Sequence, residues 1–544
     1  MPPVAPWLLR LVGANSKQEI QRAHAIVRRE HERLGRANEA DQVAFRGHME
    51  SMDDTSVILG TAEDDTPYTI PIAELTRLPS WITAGTGSGK SRLVGGMIEQ
   101  LAAAALRGAP IAVIMIDAKG ESADNFLRSV AALVATLPPH ARPGLRERIH
   151  TFRFFDSRYL PSWPLLAQIP GVSVESQADA VAEVLNDLVA DATIGPRQRA
   201  TLAAVIALAI ESEIPLAALP WLLSSPALVA DLAGRSPIHS VRLQLTRFDR
   251  EPQGSVDGLI ARLGTILRVP SLRAAVSGPV PADFGRSFEP GNITTLDFGR
   301  ADLGARFSVR AMGSLSISAL ANAAYDPRRE ARETTTFIGI DEPSLIMTSV
   351  AQAQFERLIT TGRSFGAGGL MLIHQGPTQL PADLQAFLGT NVALRVIGRS
   401  SARDAAASAE WLPKTGRIRR PRSDGRSTGG TFLSEGEEER HWIQEIGKLR
   451  ERHFLIADRR APFMPRVIRA RDYDPPPWSA IPTEAAELVL QGSQGMPRGQ
   501  LEAHVREIED AAAREFTATG GGSRERRSTP DATTPRRGRR REVP

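Results

Sequence analysis

The sequence predicts an α/β fold whose mostly parallel central sheet is interrupted by an all-helical insertion. In two separate parts of the chain, short apolar runs alternate with helical stretches, as expected of parallel strands joined by crossover helices. Between them, over about residues 176–275, alanine- and leucine-rich helical periodicity replaces this alternation and strand-like runs become rare. The two α/β parts therefore belong to one domain into which a helical domain is inserted.

The pattern of charge, periodicity and proline content divides the chain into six segments. Residues 1–55 form a charged, thinly amphipathic helical region, which is either a solvated surface or a docking arm. The first part of the α/β domain covers residues 56–172, the helical insertion 173–288, and the second part 289–474. Residues 475–518 are a proline-rich linker and one C-terminal helix. Residues 519–544 are rich in Gly, Ser, Pro and Arg, so an Arg-rich disordered tail is expected.

Each segment has its own predicted elements. In the first α/β part we expect strands at 56–59, 68–72, 81–84, 111–116 and 149–155, and helices at 90–106 and 122–137. Helices at 178–190 and 197–210 belong to the insertion. In the second part we expect strands at 293–298, 335–340, 370–374, 392–397 and 453–457, and helices at 308–324 and 352–363. The last helix is predicted near 501–516.

The composition is that of a globular protein. Of the 544 residues, 42% are hydrophobic and 24% are charged, and for a chain of this length about three folding units are expected. There is no cysteine, which excludes disulfides, thiol catalysis and cysteine-ligated metal centres. The net charge of +4 does not by itself identify a nucleic-acid partner. The early apolar stretch at residues 4–12 is too short to span a bilayer, so a cytoplasmic location is expected.

A glycine-rich segment lies where the strand at 81–84 meets the helix that follows. It consists of Ala84, Gly85, Thr86, Gly87, Ser88, Gly89, Lys90 and Ser91. Glycines let backbone N–H groups surround a phosphate, and the helix adds its positive end. Lys90 is expected to reach the β and γ phosphates and Ser91 to ligate Mg²⁺, so the predicted ligand is ATP with Mg²⁺. The pattern ordinarily begins with glycine, but the small Ala84 also fits.

Two carboxylates end the buried run at 335–340. Asp341 is expected to hold the magnesium shell, and Glu342 to polarise the attacking water as a general base. The run at 111–116 is a rival, because Asp117 ends it and Lys119 and Glu121 follow. Hydrolysis needs a base as well as a metal anchor, so the adjacent Asp–Glu pair favours the later strand.

A glutamine and an arginine complete the predicted catalytic set with Glu342. Gln375 follows the strand at 370–374, where an amide can sense the γ-phosphate or orient water; alternatively it only caps the chain. Arg363 is either an arginine finger that reaches a neighbouring subunit's site or a surface salt-bridge partner. His374 has no second ligand at metal spacing, so we expect it to be structural.

In their order and spacing these motifs resemble the FtsK/HerA class of P-loop motor ATPases, and most of all the TraD/TraG-type coupling proteins of conjugative type IV secretion. The resemblance covers about residues 56–469. It includes the stretches at 57–60 and 70–75, the strand end at 117–121, the 341–342 pair, and Arg363 with Gln375. Proline is common in the family where this chain has Ala118.

The resemblance implies a RecA-like motor domain with an all-helical insertion, assembled as a homohexamer. Nucleotide would bind between subunits, and DNA, contacted without sequence preference, would pass through a central channel. Relaxase and secretion-channel or membrane-anchor proteins are the implied partners. Many coupling proteins begin with transmembrane helices, whereas this sequence begins with a short apolar piece and a charged helical region. Either a partner recruits it to the inner face of the membrane, or it is a soluble relative.

Three functions are compatible with the motifs. The first is an ATP-driven DNA translocase that acts as a coupling or mobilisation ATPase in conjugative transfer. The second is a HerA-like helicase or processing motor in repair or defence, and the third is a non-motor, nucleotide-gated adaptor. DNA contact rests on the resemblance, because no base-reading motif is visible. The basic stretches at 417–426 and 524–541 are either solubilising or docking segments.

Overall fold

The computed structural model describes residues 55–138, 142, 144–169, 171–187, 196–251, 253–299, 306–325, 335–416, 418, 432–458 and 465–520. The predicted charged N-terminal region, the basic stretch at 417–426 and the Arg-rich tail lie outside these ranges, apart from residues 55, 418, 519 and 520. The described residues form an eleven-stranded sheet, a two-stranded sheet and many helices.

The larger sheet is mostly parallel. The described strands are β1 (Ser56–Ala62), β2 (Pro67–Pro71), β3 (Ser80–Thr83), β4 (Ile111–Asp117), β5 (Ile149–Arg153), β6 (Tyr159–Pro161), β7 (Ile293–Asp297), β8 (Thr335–Asp341), β9 (Gly369–His374), β10 (Leu394–Gly398), β11 (His453–Asp458), β12 (Arg466–Ala470) and β13 (Gly495–Pro497). The order in the larger sheet is β2-β1-β12-β11-β10-β3-β9-β8-β4-β7-β5. Neighbours from β10 to β5 are parallel, while β2, β1, β12 and β11 form an antiparallel edge.

Helices follow most of the parallel strands, as crossover connections require. The described α-helices are α1 (Ile72–Leu75), α2 (Lys90–Arg107), α3 (Glu121–Thr136), α4 (Leu145–Arg148), α5 (Val174–Asp187), α6 (Pro196–Glu211), α7 (Leu219–Leu223), α8 (Pro226–Arg235), α9 (His239–Leu245), α10 (Gln253–Leu267), α11 (Pro270–Val276), α12 (Arg306–Ala324), α13 (Ser349–Thr361), α14 (Ala382–Asn391), α15 (Ala402–Glu410), α16 (Glu435–Lys448), α17 (Thr483–Gln491) and α18 (Arg498–Gly520). The predicted α/β fold class is confirmed.

Both faces of the sheet are covered, which explains why its central strands are continuous apolar runs. In β4, Val113 and Met115 point into a core shared with α2 and α3. Ile114 and Ile116 point to the opposite face, into a core shared with α12 and α13. Because side chains alternate along a strand, a strand buried on both faces cannot carry the polar alternation of a half-exposed one.

The helical insertion is built from α5 to α11. In this part of the chain the described residues form helices and no strand. Leu202, Val205, Leu219 and Leu263 are almost fully buried and belong to the same core as the sheet face beneath α12. Taken singly, no described helix is long and apolar enough to cross a membrane; residues Leu216–Leu223 and Pro226–Arg235 reach that standard only as a pair bent by 112°.

The C-terminal segment joins the sheet to the insertion. The sequence predicts a linker and one helix here, whereas the structure has α17, the short strand β13 and α18. β13 pairs antiparallel with β6. Leu501 and Val505 of α18 are buried against Leu160, Ala217 and Ala274. The predicted domain boundaries stay a prediction, but α18 shows that the chain returns to the insertion after completing the sheet.

Candidate nucleotide-binding site

The glycine-rich loop joins β3 to α2 with a tightly turned backbone. Gly87 and Gly89 have φ values of 73° and 90°, a left-handed conformation that residues with a Cβ rarely adopt. Gly85 donates its N–H to the carbonyl oxygen of Arg399 at 2.8 Å. The helix begins at Lys90, so the loop leads directly into the N–H groups of a helix N-terminus, where phosphate binds favourably.

The loop side chains differ in what they present. Thr86 and Ser91 are exposed, so both hydroxyls are accessible to a ligand. Ser88 is buried, and its hydroxyl has no hydrogen-bond partner in the described structure; its contribution comes from the backbone. Ala84 is fully buried, and a Cβ at Gly398 would lie 2.6 Å from its methyl group. A small residue is therefore required at this first position.

The acidic pair at the end of β8 lies beside the loop lysine. The Lys90 ammonium nitrogen lies 3.1 Å from Glu342 Oε1 and 3.6 Å from Asp341 Oδ1. Asp341 Oδ2 accepts a hydrogen bond of 2.5 Å from the Ser122 hydroxyl. Oδ1 is buried and accepts no hydrogen bond within the described ranges. One oxygen of the Asp341 carboxylate is therefore available to a cation, and the Lys90 ammonium group lies beside it.

Glu342 is held in a strained conformation. Its φ of 53° places a non-glycine residue in the left-handed region, at a cost on the order of 1 kcal/mol or more. Burial alone would raise the pKa of Glu342, but the hydrogen bond from Lys119 and the charges of Lys90 and Lys119 outweigh it, so its pKa lies below the ordinary value. The carboxylate is therefore ionised at neutral pH, as a general base must be.

Gln375 lies between the loop and the base. It follows β9, which lies between β3 and β8. Its amide nitrogen donates to Glu342 Oε1 at 3.1 Å, and its oxygen accepts from the Thr86 hydroxyl at 3.4 Å. His374 is buried; one ring nitrogen bonds the Gly376 carbonyl oxygen at 2.7 Å and the other bonds the Trp81 indole N–H. This pair of bonds matches the structural role expected of the histidine.

The rival carboxylate Asp117 has a different environment. It is directly opposite Asp341 in the parallel pairing of β4 with β8. Its oxygens accept hydrogen bonds from the Lys119 and Ala123 N–H groups, at 2.7 and 2.9 Å. Burial and the adjacent carboxylates raise the pKa of both Asp117 and Asp341. Because both oxygens of Asp117 bond to the backbone, this residue holds the turn before α3, whereas Asp341 keeps an open oxygen.

Arg363 is not brought to this cluster. It lies in the turn between α13 and β9, and Gly366 in the same turn accepts the Thr336 N–H at the start of β8. β9 then runs six residues towards His374, a distance of about 20 Å at roughly 3.3 Å per residue. Arg363 is exposed at the edge of the sheet opposite the glycine-rich loop. Within one chain it cannot contact a phosphate held by Lys90.

Two residues without a predicted role contact the acidic pair. Lys119 Nζ lies 2.8 Å from Glu342 Oε1, and Ser122 bonds Asp341. Both follow β4, the neighbour of β8. The sequence signal for both was the polar stretch that follows the buried strand β4. The carboxyl ends of adjacent parallel strands lie at the same edge of a sheet, so such a stretch can reach the end of a neighbouring strand. That signal could not identify which strand neighbours β8.

The residues present suit ATP with Mg²⁺. The open Asp341 oxygen and the exposed Ser91 hydroxyl are hard oxygen ligands of the kind that Mg²⁺ takes alongside phosphates and water. A cation there would also offset the repulsion between the buried carboxylates. In the described part of the chain there is no cluster of three or more His, Asp or Glu residues that could hold a metal alone.

A glycine loop between a strand and a helix, with an acidic pair two strands away in a parallel sheet, defines a P-loop ATPase. Residues 57–300 match the family model described as "Helicase HerA, central domain". The chain thus contains a HerA/FtsK-type ATPase domain, as the sequence motifs predicted. No curated protein matches the sequence significantly.

One solved structure of low sequence identity supports the fold. VirB4 of Thermoanaerobacter pseudethanolicus has a TM-score of 0.50 at 12% identity, covering 79% of this chain and 99% of its own. The bacterial conjugative coupling protein TrwB, in an unbound form lacking its N-terminal segment, has a TM-score of 0.46 at 13% identity, covering 78% of this chain and 89% of its own. At these identities the VirB4 match speaks for the RecA-like architecture and for nothing more specific.

Proposed function

We propose that the protein is an ATP-driven DNA translocase that acts as a coupling or mobilisation ATPase in conjugative DNA transfer. The observation that carries the proposal is the convergence of Lys90, Asp341, Glu342 and Gln375 at one edge of the sheet, while Arg363 lies at the other. Such a site offers groups for phosphate binding and for water activation, but Arg363, the candidate arginine finger, does not reach it within one chain. A neighbouring copy of the chain is the natural source of that cation.

The residues have distinct roles in hydrolysis. Loop residues 84–91 would hold the phosphates, with Lys90 on the β and γ groups. Mg²⁺, held by Ser91 and Asp341 when bound, supplies positive charge beside the phosphates. Glu342 would take a proton from the attacking water as its oxygen bonds the γ-phosphorus and the bond to ADP breaks. Gln375, which already bonds Glu342, would orient that water.

The proposed assembly is a homohexameric ring that moves DNA through its centre. Arg363 of one subunit would offset the charge that develops on the γ-phosphate bound by the next. Contacts to the DNA backbone would be sequence-neutral and sensitive to salt. We propose a cytoplasmic location, with recruitment to the inner face of the membrane by a secretion-channel or anchor protein, and a relaxase as the partner carried with the DNA.

A HerA-like helicase or processing motor is the second candidate. The family match over residues 57–300 favours it, because that model is described by a helicase. Both candidates use the same catalytic residues. They differ in the biological process, so a donor-cell mobilisation assay with the coding region deleted separates them: loss of plasmid transfer supports the coupling role, and unchanged transfer with increased sensitivity to DNA damage supports the second.

The motor itself is tested by steady-state ATP hydrolysis with and without DNA. DNA is expected to stimulate the wild-type rate, and Glu342→Gln should lower it by about 100-fold or more because a general base is lost. Lys90→Ala should abolish activity through loss of nucleotide binding. Lys448→Ala is the matched control, since Lys448 is 69% exposed and pairs only with Glu445 among the described residues. Hydrolysis that DNA does not alter in an assembled hexamer would favour the nucleotide-gated adaptor.

A further inference from the structure

Lys119 contacts Glu342, the proposed general base, but has no role in the mechanism described above. Its ammonium nitrogen lies 2.8 Å from Glu342 Oε1, closer than Lys90 at 3.1 Å. Gln375 donates to the same oxygen at 3.1 Å. Three donors therefore converge on one carboxylate oxygen, and they come from three different parts of the chain: α2, the turn after β4, and the end of β9.

The backbone of Lys119 is immobilised from two sides. Its N–H donates to Asp117 Oδ1 at 2.7 Å. Gly299, just beyond β7, packs so closely that a Cβ there would overlap the backbone of Lys119 and Gly120. Gly120 itself has a φ of 85°, which completes a tight turn before α3. The starting point of the lysine side chain is thus set by β4 and β7 together.

The tip of Lys119 is placed differently from that of Lys90. The Lys119 side chain is 44% exposed, whereas that of Lys90 is 11% exposed, and Glu342 is 5% exposed. Lys90 lies at the first position of α2, directly after the glycine-rich loop. Bound phosphates would therefore compete with Glu342 for the ammonium group of Lys90. Lys119 follows β4, the neighbour of β8, and lies outside the glycine-rich loop of residues 84–91.

We infer that Lys119 is a positioning residue that keeps the Glu342 carboxylate oriented towards the attacking water once Lys90 has turned to the phosphates. This inference rests on the proposed ATPase function. A carboxylate whose strained backbone leaves it projecting into the site needs fixed donors to hold one orientation. With Lys90 on the nucleotide, Lys119 and Gln375 are the donors that remain on Oε1. The contacts of Asp117 and Gly299 with this turn fix the backbone position of Lys119.

The inference makes Lys119 different from a phosphate ligand. Removing a phosphate ligand weakens nucleotide binding in the ground state, and the Michaelis constant rises. Removing a group that orients the base leaves ground-state binding intact and lowers kcat. Lys119→Gln and Lys119→Arg separate these roles. Arginine retains the positive charge and the hydrogen-bond donors, whereas glutamine retains donors on its amide but loses the charge.

The experiment measures kcat, the Michaelis constant for Mg²⁺–ATP, and direct binding of a fluorescent ADP analogue in the full-length assembled protein. For Lys119→Gln we expect kcat to fall by about tenfold or more, as misplacement of a catalytic group produces. The Michaelis constant and ADP affinity should change by less than about twofold, and Lys119→Arg should recover much of kcat. Lys448→Gln is the matched control and should leave all three quantities unchanged.

Other outcomes overturn the inference. A loss of ADP affinity comparable with that of Lys90→Ala would make Lys119 a phosphate ligand. A rise in kcat for Lys119→Gln would make it a restraint on the base, and an unchanged kcat would leave it outside catalysis. If the wild-type protein itself does not hydrolyse ATP, the proposed function fails instead. Because Lys119 is 44% exposed, its variants should fold, which a thermal melt of each one checks.

Discussion

Acid should destabilise the protein through His374, the residue that precedes Gln375. Burial is the main reason why the pKa of His374 falls from 6.5 to about 4. Its ring accepts the Trp81 N–H at one nitrogen and faces the Gly376 carbonyl oxygen with the other. A neutral ring satisfies both contacts, whereas a protonated ring would present a second donor to the Trp81 N–H.

The sign and size of the effect follow from linkage. Above pH 6.5 the histidine is neutral in both folded and unfolded chains, so its contribution to stability is complete. Between pH 6.5 and about 4 the unfolded chain binds a proton that the folded chain does not. The free energy of unfolding therefore decreases as the pH is lowered through this range. The full loss is about 3 kcal/mol, of which about 2 kcal/mol is already lost at pH 5.

Urea unfolding followed by tryptophan fluorescence at pH 7 and pH 5 measures the effect. His374→Gln keeps one donor and one acceptor but does not titrate, so the variant should lose about 2 kcal/mol less than the wild type between the two values. Any fixed cost of the substitution cancels, because only the change with pH is compared. Equal losses in the two proteins would refute the reasoning and place the pKa of His374 near its ordinary value.

Three further predictions test packing, assembly and DNA contact. Gly95→Ala should destabilise the protein by about 1–3 kcal/mol, because the new methyl group overlaps the Tyr473 ring, whereas Gly447→Ala in a helix with open space should be neutral or stabilising in the same thermal melt. Subunits carrying Arg363→Ala mixed with subunits carrying Lys90→Ala should regain part of the ATPase rate if the arginine acts across an interface; no recovery at any mixing ratio argues for a structural role of Arg363. DNA affinity, measured by fluorescence anisotropy, should fall by about tenfold or more between 50 and 200 mM salt, and a flat response would contradict backbone contact.

The glycine-rich loop shows how far local sequence determines the site. A strand, a run of glycines with Lys90, and an amphipathic helix are all encoded within residues 80–107, so their succession is predictable without the rest of the chain. The same holds for the pair of carboxylates after β8. Buried strands of a parallel sheet are recognisable because both of their faces must be apolar.

The contacts of Lys119 and the location of Arg363 depend on strand order instead. β4 and β8 are separated by more than 200 residues in sequence yet pair directly, with Asp117 opposite Asp341. The order of strands is set by how whole faces pack, which no local pattern records. For that reason the sequence offered Asp117 and Asp341 as alternative metal-binding carboxylates. In the sheet they are neighbours: Asp117 accepts backbone hydrogen bonds, and Asp341 has an oxygen that accepts none among the described residues.

The sequence by itself determined the fold class, and it predicted the helical insertion and a nucleotide site at residues 84–91 and 341–342, because propensity, periodicity and turn chemistry act over short stretches. Only the tertiary structure decided that Lys119 and Gln375 share one oxygen of Glu342 with Lys90, and that Arg363 lies at the opposite edge. Distances between segments far apart in the chain are set by the packing of the complete sheet, and catalysis depends on those distances.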